Sequence, residues 1–220
     1  GMDKSSYDGD GVVTGMGTID GRLVYEKAGC DKEVTEAAMP THKQAIQLVL
    51  DALVNPNTGA IANLSEIEAV GHRVVHGGEK FATSTVLTEE VIAVIEECND
   101  LAPLHNPAHI QGIEACQKIM PNIPQALVFD TSFHLSMPDE AYMYACPYEW
   151  YEKYGVRKYG FHGTSHKYIT GQMKEKLGKE DVNLIICHIG SGASISAIKE
   201  GKCYDTTMGL TPLDGLMMGT

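Results

Sequence analysis

The sequence predicts an α/β protein with a mixed sheet. Segments in which apolar residues recur at helical spacing alternate along the chain with short apolar runs of strand length. That alternation is typical of sheets packed against helices. The chain has 220 residues, of which 43% are hydrophobic and 21% charged, so it is long enough to bury a core and has the composition of a globular protein.

The first thirty residues predict a β-hairpin. Residues 12–14 and 23–25 are two apolar runs, and Asp20 with Gly21 supplies a turn signal between them. We therefore expect two antiparallel strands near the start of the chain.

Three helices are predicted between residues 41 and 119. Thr41 and Thr88 are suited to cap the first two, because each precedes an apolar pattern of helical period. Asn106 is the predicted N-cap of the third helix, since a proline follows it in the first turn. Ser165 is the predicted N-cap of a later helix that ends near Gly178.

Four short apolar runs are predicted to be strands. Asp130 follows the second run directly, and the last two runs are joined by a glycine-rich turn that predicts a second hairpin. The four runs are residues 69–76, 125–129, 183–189 and 193–198.

Charge and cysteine content exclude several classes of protein. The net charge of −12 and the lack of a basic cluster argue against a nucleic-acid-binding surface. A phosphate-bearing ligand would therefore be bound locally by backbone amides, a few cations or a metal ion. The six cysteines form no Cys-x-x-Cys pair, which favours reduced thiols in a cytoplasmic protein. No apolar stretch reaches the ~20 residues that span a bilayer, so we expect no membrane association.

Arg73 is the first candidate for a ligand-binding residue. The chain has only three arginines, and this one lies inside an otherwise apolar run, which predicts partial burial. A guanidinium forks two donors onto a carboxylate or phosphate, so Arg73 is suited to bind an anion. A structural ion pair with one of the many carboxylates is an equally good interpretation of this residue alone.

Asp130 and His162 are candidates for catalysis. The carboxyl end of a buried strand is where α/β sheets bind ligands, so Asp130 is suited to hold Mg²⁺, position a nucleophile or carry a proton. Its alternative role is that of a turn or N-cap aspartate. His162 precedes a glycine that permits close approach of a ligand, and a histidine there can stabilise a transferring phosphoryl group. A satisfied, partly buried imidazole is the alternative.

Two further patterns are less specific. The Gly-x-Gly turn at residues 190–192 can direct amides toward a phosphate, although most such turns bind nothing. Three His-x-x-x-His spacings invite a zinc-hydrolase interpretation. That interpretation is weaker, because none of the three has the glutamate of His-Glu-x-x-His and the first lies in a predicted strand.

Five segments together resemble acetate kinase, in order and in spacing. The resemblance runs from about Pro40 to the last residue and implies an incomplete actin-like, ribonuclease-H-like ATPase fold with two lobes. It implies that residues 1–131 belong to the acyl-substrate lobe and residues 132–220 begin the nucleotide-binding lobe. The five segments are 71–78 (GHRVVHGG), 101–107 (LAPLHNP), 128–134 (VFDTSFH), 158–166 (KYGFHGTSH) and 188–192 (HIGSG).

The resemblance also implies a reaction, in which ATP and acetate give ADP and acetyl phosphate with Mg²⁺. By this comparison Arg73 binds the substrate, Asp130 lies near Mg²⁺ and the substrates, and His162 stabilises the transferring phosphoryl group. Other implied site residues form an apolar pocket for the acyl methyl group, a neighbouring histidine and a contact to the nucleotide phosphates. By this resemblance the apolar pocket is formed by Val75, Leu104, Phe161 and Pro212, and the neighbouring histidine is His105. The implied contact to the nucleotide phosphates is formed by His188, Ile189, Gly190, Ser191 and Gly192. Acetate kinases often have asparagine in place of Ser191.

The resemblance implies that parts of a complete acetate kinase are missing. A first strand with its phosphate loop would precede Met2, which matches the end of a second strand, and Gly1 is interpreted as a residue left by tag removal. A second catalytic arginine would directly follow Thr220. We therefore expect an isolated chain that is weakly active or inactive and marginally stable or self-associating, from an enzyme whose complete form is a homodimer.

Two alternatives to an acetate kinase stay open. One is a kinase for propionate or another short-chain acid. The other is a non-catalytic binding or assembly module that retains the substrate pocket. Comparing the two acids separates the first alternative, and acetate binding without ATP turnover would favour the second.

Overall fold

A computed structural model describes residues 8–219. The predictions for Gly1, Met2 and Thr220 lie outside the described residues. The strands are β1 (Gly9–Thr14), β2 (Arg22–Lys27), β3 (Glu33–Glu36), β4 (Val70–Val74), β5 (Thr85–Val86), β6 (Gln125–Phe129), β7 (Leu184–Ile189), β8 (Ala193–Lys199) and β9 (Lys202–Thr206). The helices are α1 (His42–Leu53), α2 (Glu89–Glu97), α3 (Asn106–Ile119), α4 (Asp139–Tyr142), α5 (Tyr148–Tyr154) and α6 (Gly163–Leu177), with 3₁₀ turns at Leu64–Glu66, Asn99–Leu101 and Ser132–Ser136.

The chain forms two compact units. Of the described residues, the first unit contains 8–70 together with 111–124, and the second contains 71–110 and 125–219. The lobe boundary expected near Thr131 stays a prediction.

The first unit is built on the predicted hairpin. Strands β1 and β2 pair antiparallel with Val12 opposite Val24, and β3 adds a third antiparallel strand that the sequence did not indicate. One face of β2 is buried, and Leu23 and Tyr25 pack there with Ala45 of α1. The side chain of Thr41 accepts a hydrogen bond from the amide of Gln44, so the predicted cap of α1 is confirmed.

The second unit contains the strands that carry the candidate site. One sheet has the order β4-β6-β5, and the other is the antiparallel sheet β7-β8-β9. The β7–β8 pair confirms the second predicted hairpin, and β6 has the predicted bounds of Gln125–Phe129. Thr88 caps α2 through the amide of Val91, as predicted.

Two predicted helix caps are wrong. Helix α3 already includes Asn106, whose buried side chain instead accepts from the amide of His76 and donates to its carbonyl. Helix α6 begins at Gly163, two residues before Ser165, whose hydroxyl lies 2.9 Å from Nδ1 of His188. In both cases a tertiary hydrogen bond replaces the local one, because a capping residue type can bond to any backbone or ring group within reach.

The start of α6 is in contact with the end of β6. The amide of Gly163 donates to the carbonyl of Asp130 over 2.9 Å. A Cβ atom at position 163 would lie 2.2 Å from that carbonyl oxygen, so only glycine permits this approach. His162, the residue before the helix, consequently has a left-handed backbone with φ of 59°.

We expect Gly163→Ala to destabilise the chain by about 1–3 kcal/mol, because the new methyl group would push α6 away from β6. Gly171→Ala in the same helix is the matched control, since a Cβ atom there meets nothing within 4 Å. That control should be stabilised by about 0.5–1 kcal/mol. Urea unfolding of both variants measures the two effects, and equal stabilities would contradict the proposed tight contact.

Candidate active site

A cavity of about 480 Å³ lies within the second unit. That volume is in the range of small-molecule sites. The cavity is lined by nine of the residues singled out from the sequence: Arg73, Val75, Leu104, His105, Asp130, Phe161, His162, Gly192 and Pro212. Met208, Thr211, Leu213 and Met218 also line it and carried no signal that would have identified them.

An ion pair between neighbouring strands forms the polar side of the cavity. Nε of Arg73 donates to Oδ1 of Asp130 over 3.0 Å, and Nη2 donates to Oδ2 over 2.6 Å. The Asp130 side chain is 3% exposed, whereas that of Arg73 is 64% exposed, so only a smaller part of the arginine is buried. The hydrogen bond to Asp130 raises the pKa of Arg73.

The pair with Asp130 is compatible with both interpretations of Arg73, as a partner in a structural ion pair and as a residue that binds an anion. A guanidinium presents two edges, each able to bind a planar anion with two hydrogen bonds. Asp130 takes the edge formed by Nε and Nη2, and among residues 8–219 Arg73 makes no other hydrogen bond. The edge formed by Nη1 and Nη2 therefore remains for a carboxylate or phosphoryl group in the cavity.

Among residues 8–219, Asp130 is the one carboxylate placed to serve a magnesium ion in this cavity. Within the described part of the chain, no three His, Cys, Asp or Glu side chains are grouped to hold a metal ion. Magnesium often uses one or two carboxylates and completes its shell with phosphate oxygens and water, and this arrangement fits that mode. The ion would share the carboxylate with Arg73.

His162 faces the same cavity from the start of α6. Its ring stacks on that of His188, with centroids 4.1 Å apart, and its Nδ1 lies 2.9 Å from the hydroxyl of Ser194. A Cβ atom at position 192 would lie 2.9 Å from Nε2 of His162, so Gly192 leaves room for the ring. Desolvation, reinforced by the neighbouring His188, lowers the pKa of His162 and favours the neutral imidazole.

The apolar side of the cavity is formed by buried residues. Val75 and Phe161 pack with Ala102 and Met208 in one cluster. Leu104 lines the cavity as well, yet it is 86% exposed and lies at its rim. A small apolar group bound beside Arg73 would therefore contact chiefly the valine and the phenylalanine.

The glycine turn is only partly associated with the cavity. His188, Ile189, Gly190 and Ser191 are absent from the described lining, and Ile189 is exposed. The amide of Gly190 donates to the carbonyl of Gly192 and so closes the turn. The role of residues 188–192 in binding nucleotide phosphates stays a prediction.

Comparison with known proteins identifies relatives over almost the whole chain. The model described as "Acetokinase family" matches residues 3–220. Acetate kinase from Agathobacter rectalis is 67% identical over 204 residues, which are 92% of this chain and 51% of that protein. Acetate kinase from Desulfitobacterium hafniense is 57% identical over 100% of this chain and 55% of its own length. The chain thus spans about half the length of the curated relatives it matches.

Solved structures show the same fold. The crystal structure of Porphyromonas gingivalis acetate kinase matches with a TM-score of 0.94 and 47% identity, covering 100% of this chain and 56% of that one. A propionate kinase from Francisella tularensis matches with a TM-score of 0.90 and 44% identity, covering 97% of this chain and 54% of that one. The predicted α/β fold of the acetate kinase type is therefore confirmed.

The backbone of His162 supports a stability test. A left-handed conformation costs an L-residue roughly 1–2 kcal/mol, which glycine avoids. We expect His162→Gly to be more stable than His162→Ala by about 1 kcal/mol in urea unfolding, since both variants lose the same ring. At Lys167 in the middle of α6, alanine should instead be the more stable replacement by about 1 kcal/mol. The same order at both positions would contradict the strain at His162.

Proposed function

The chain belongs to the acetokinase family, and we propose that its site serves acetate kinase activity, the reversible transfer of a phosphoryl group from ATP to acetate that gives ADP and acetyl phosphate. One observation carries this proposal. The Arg73–Asp130 pair, the ring of His162 and the apolar pair Val75 and Phe161 line a single cavity. An anion with a small apolar tail finds complementary groups there.

Acetate binding follows from the two sides of the cavity. The remaining edge of the Arg73 guanidinium accepts the carboxylate through two charge-assisted hydrogen bonds. The methyl group then rests on Val75 and Phe161, which are buried and apolar. Asp130 holds the guanidinium in place, so the carboxylate meets a cation that is already oriented.

Phosphoryl transfer requires positioning and stabilisation of charge on the transferred group. Mg²⁺, when bound, neutralises charge on the phosphate oxygens, and Asp130 is the residue proposed to hold it. His162 is proposed to donate a hydrogen bond to the transferring phosphoryl group, where each oriented donor is worth ~10²–10³ in rate. Arg73, Asp130 and His162 are therefore the proposed catalytic residues.

The nucleotide site and the assembly are proposals from family membership. We propose that ATP and ADP place their phosphates near residues 188–192, that the lobe boundary lies near Thr131, and that the complete enzyme is a cytoplasmic homodimer. The six cysteines are unpaired, which agrees with a reducing compartment.

Propionate is the second candidate substrate, because a propionate kinase is among the structural neighbours. The side chain of Val75 limits the space beside the acyl group. One methylene changes the binding free energy in such a pocket by only ~1–3 kcal/mol. The pocket would therefore prefer one of the two acids without excluding the other.

The role of Arg73 is tested by acetate-dependent ADP formation from ATP and Mg²⁺ with the mass-verified chain. We expect Arg73→Ala to lower kcat/KM for acetate by ~10²–10³, because it removes the charged donor. Arg22→Ala is the matched control, since that arginine is exposed on β2 in the first unit. Equal activity of both variants would refute the assignment.

A folded chain without turnover is analysed by acetate binding. Binding that Arg73→Ala abolishes would favour a binding module over an active kinase. Absence of acetate binding in the unmodified chain would contradict the proposed substrate site.

The substrate preference is tested with Val75→Ala. The lost methyl groups would make room for a longer acid, so the ratio of kcat/KM for propionate to that for acetate should rise by ~10-fold or more. Val86→Ala, an exposed valine in β5, should leave the ratio unchanged. An unchanged ratio in Val75→Ala would show that Val75 does not contact the acyl group.

A further inference from the structure

A serine hydroxyl links two histidine rings behind the cavity. Ser194 of β8 is fully buried, and its Oγ lies 2.9 Å from Nδ1 of His162 and 2.8 Å from Nε2 of His166. We propose that Ser194, oriented by His166, is a positioning residue that holds His162 in the tautomer with its hydrogen on Nε2. This inference rests on the proposed function only in assigning a phosphoryl oxygen as the acceptor of that hydrogen.

A serine hydroxyl has one hydrogen to donate and lone pairs that accept. Among residues 8–219 the Ser194 hydroxyl bonds only to the two rings, so accepting from both would leave its own hydrogen without an acceptor. Two arrangements remain. If it donates to His162, it accepts from Nε2–H of His166. If it donates to His166, it accepts from Nδ1–H of His162, and Nε2 of His162 then presents a lone pair to the cavity.

Nδ1 of His166, the ring nitrogen that does not contact Ser194, decides between these arrangements. His166 is fully buried, and its Nδ1 has no hydrogen-bond partner within residues 8–219. A buried N–H without an acceptor is among the rarest features of folded proteins, while an unpaired acceptor is tolerated more often. The hydrogen of His166 therefore resides on Nε2 and is donated to Ser194.

A charged His166 would still donate from Nε2 to Ser194, but among residues 8–219 its Nδ1–H would have no acceptor. The rings of His134 and His188 lie 5.7 and 6.3 Å from it, and no carboxylate accepts from its Nδ1. Burial lowers the pKa of His166 to about 3, so the ring is neutral at physiological pH.

The position of the hydrogen on His166 determines the position of the hydrogen on His162, because both rings bond to the hydroxyl of Ser194. Its hydroxyl hydrogen is directed to Nδ1 of His162, which must then be the unprotonated nitrogen. The ring hydrogen of His162 therefore resides on Nε2, the nitrogen beside Gly192, and both residues line the cavity. A phosphoryl oxygen accepts from an N–H, whereas a lone pair there would repel it.

Long-range ¹H–¹⁵N NMR of the histidine-labelled chain at neutral pH tests the tautomer directly. Signals of His162 are assigned by their loss in His162→Gln. We expect a protonated Nε2 and an unprotonated Nδ1 in the unmodified chain, and a shift toward a mixture of tautomers in Ser194→Ala. A hydrogen on Nδ1 in the unmodified chain, or an unaltered tautomer in Ser194→Ala, would overturn the proposal.

Ser196→Ala is the matched control. Ser196 is also fully buried on β8, two residues further along, but its hydroxyl pairs with that of Thr206. Its loss should leave the signals of His162 unchanged. An equal response to Ser196→Ala would show that any buried hydroxyl on this strand has the same effect.

Two variants of His166 distinguish the effect of its hydrogen-bond donor from the effect of its packed ring. His166→Gln keeps an N–H donor within reach of Ser194 and should preserve the Nε2–H tautomer of His162. His166→Phe keeps a ring without the donor and should shift the tautomer as Ser194→Ala does. Loss of the tautomer in both would count against the donor role, and retention in both would overturn it.

Turnover supplies a second readout. Ser194→Ala should lower kcat in proportion to the fraction of His162 that loses Nε2–H, with little change in KM for acetate. For a mixture of tautomers the loss is a few-fold, which is less than the ~10²–10³ for deleting a donor. Unchanged kcat would overturn the positioning role.

Failure of the proposed kinase function can be distinguished from failure of the proposed tautomer of His162. A chain that has the expected tautomer but neither turns over nor binds acetate would count against the kinase function alone, whereas an active chain with Nδ1–H would overturn only this inference. If Ser194→Ala does not fold, the spectrum of the unmodified chain still decides.

Discussion

The contact between Asp130 and Gly163 is the constraint on which the candidate site depends. It joins the end of β6 to the beginning of α6 through a single backbone hydrogen bond, with no space for a side chain at position 163. The preceding residue must then turn through a left-handed conformation, which carries the ring of His162 to the cavity that Asp130 lines. Strain at a residue of this kind is retained where the surrounding structure fixes it, as is common at functional sites.

The charge that the site offers an anion is positive and local, whereas the net charge of the chain is negative. A net charge of −12 repels an anion at a distance, so the groups within the cavity must attract it. Arg73 supplies a cation that Asp130 orients, and burial lowers the pKa of His162 and of His166, which favours their neutral forms. A neutral imidazole can still donate a hydrogen bond, provided that its hydrogen is on the nitrogen that faces the ligand. The arrangement around Ser194 accounts for that condition.

Local patterns predicted much of the fold and part of the site. The first hairpin, the caps at Thr41 and Thr88 and the strand before Asp130 depend on neighbouring residues, and the structure has each of them. The turn of that hairpin lies at residues 15–18 and not at Asp20 and Gly21 as predicted. Motif resemblance selected Arg73, Asp130 and His162, which line one cavity.

The remaining features depend on residues far apart in the chain. Asn106 bonds to His76 and Ser165 bonds to His188, so neither acts as the predicted cap. Ser194 and His166 are 28 residues apart, and no spacing rule indicates that one hydroxyl would join two rings. Met208 belongs to the apolar wall for the same reason, since its burial follows from packing with Val75 and Phe161.

The central claim is that Arg73 and His162 act on one bound anion. Calorimetric titration of acetyl phosphate into the unmodified chain, Arg73→Ala, His162→Gln and the double variant tests it most directly. Two groups that share one ligand should be coupled, so the loss in the double variant should differ from the sum of the single losses by ~0.5–3 kcal/mol. Losses that add within ~0.3–0.5 kcal/mol, or single variants that bind as tightly as the unmodified chain, would contradict the account.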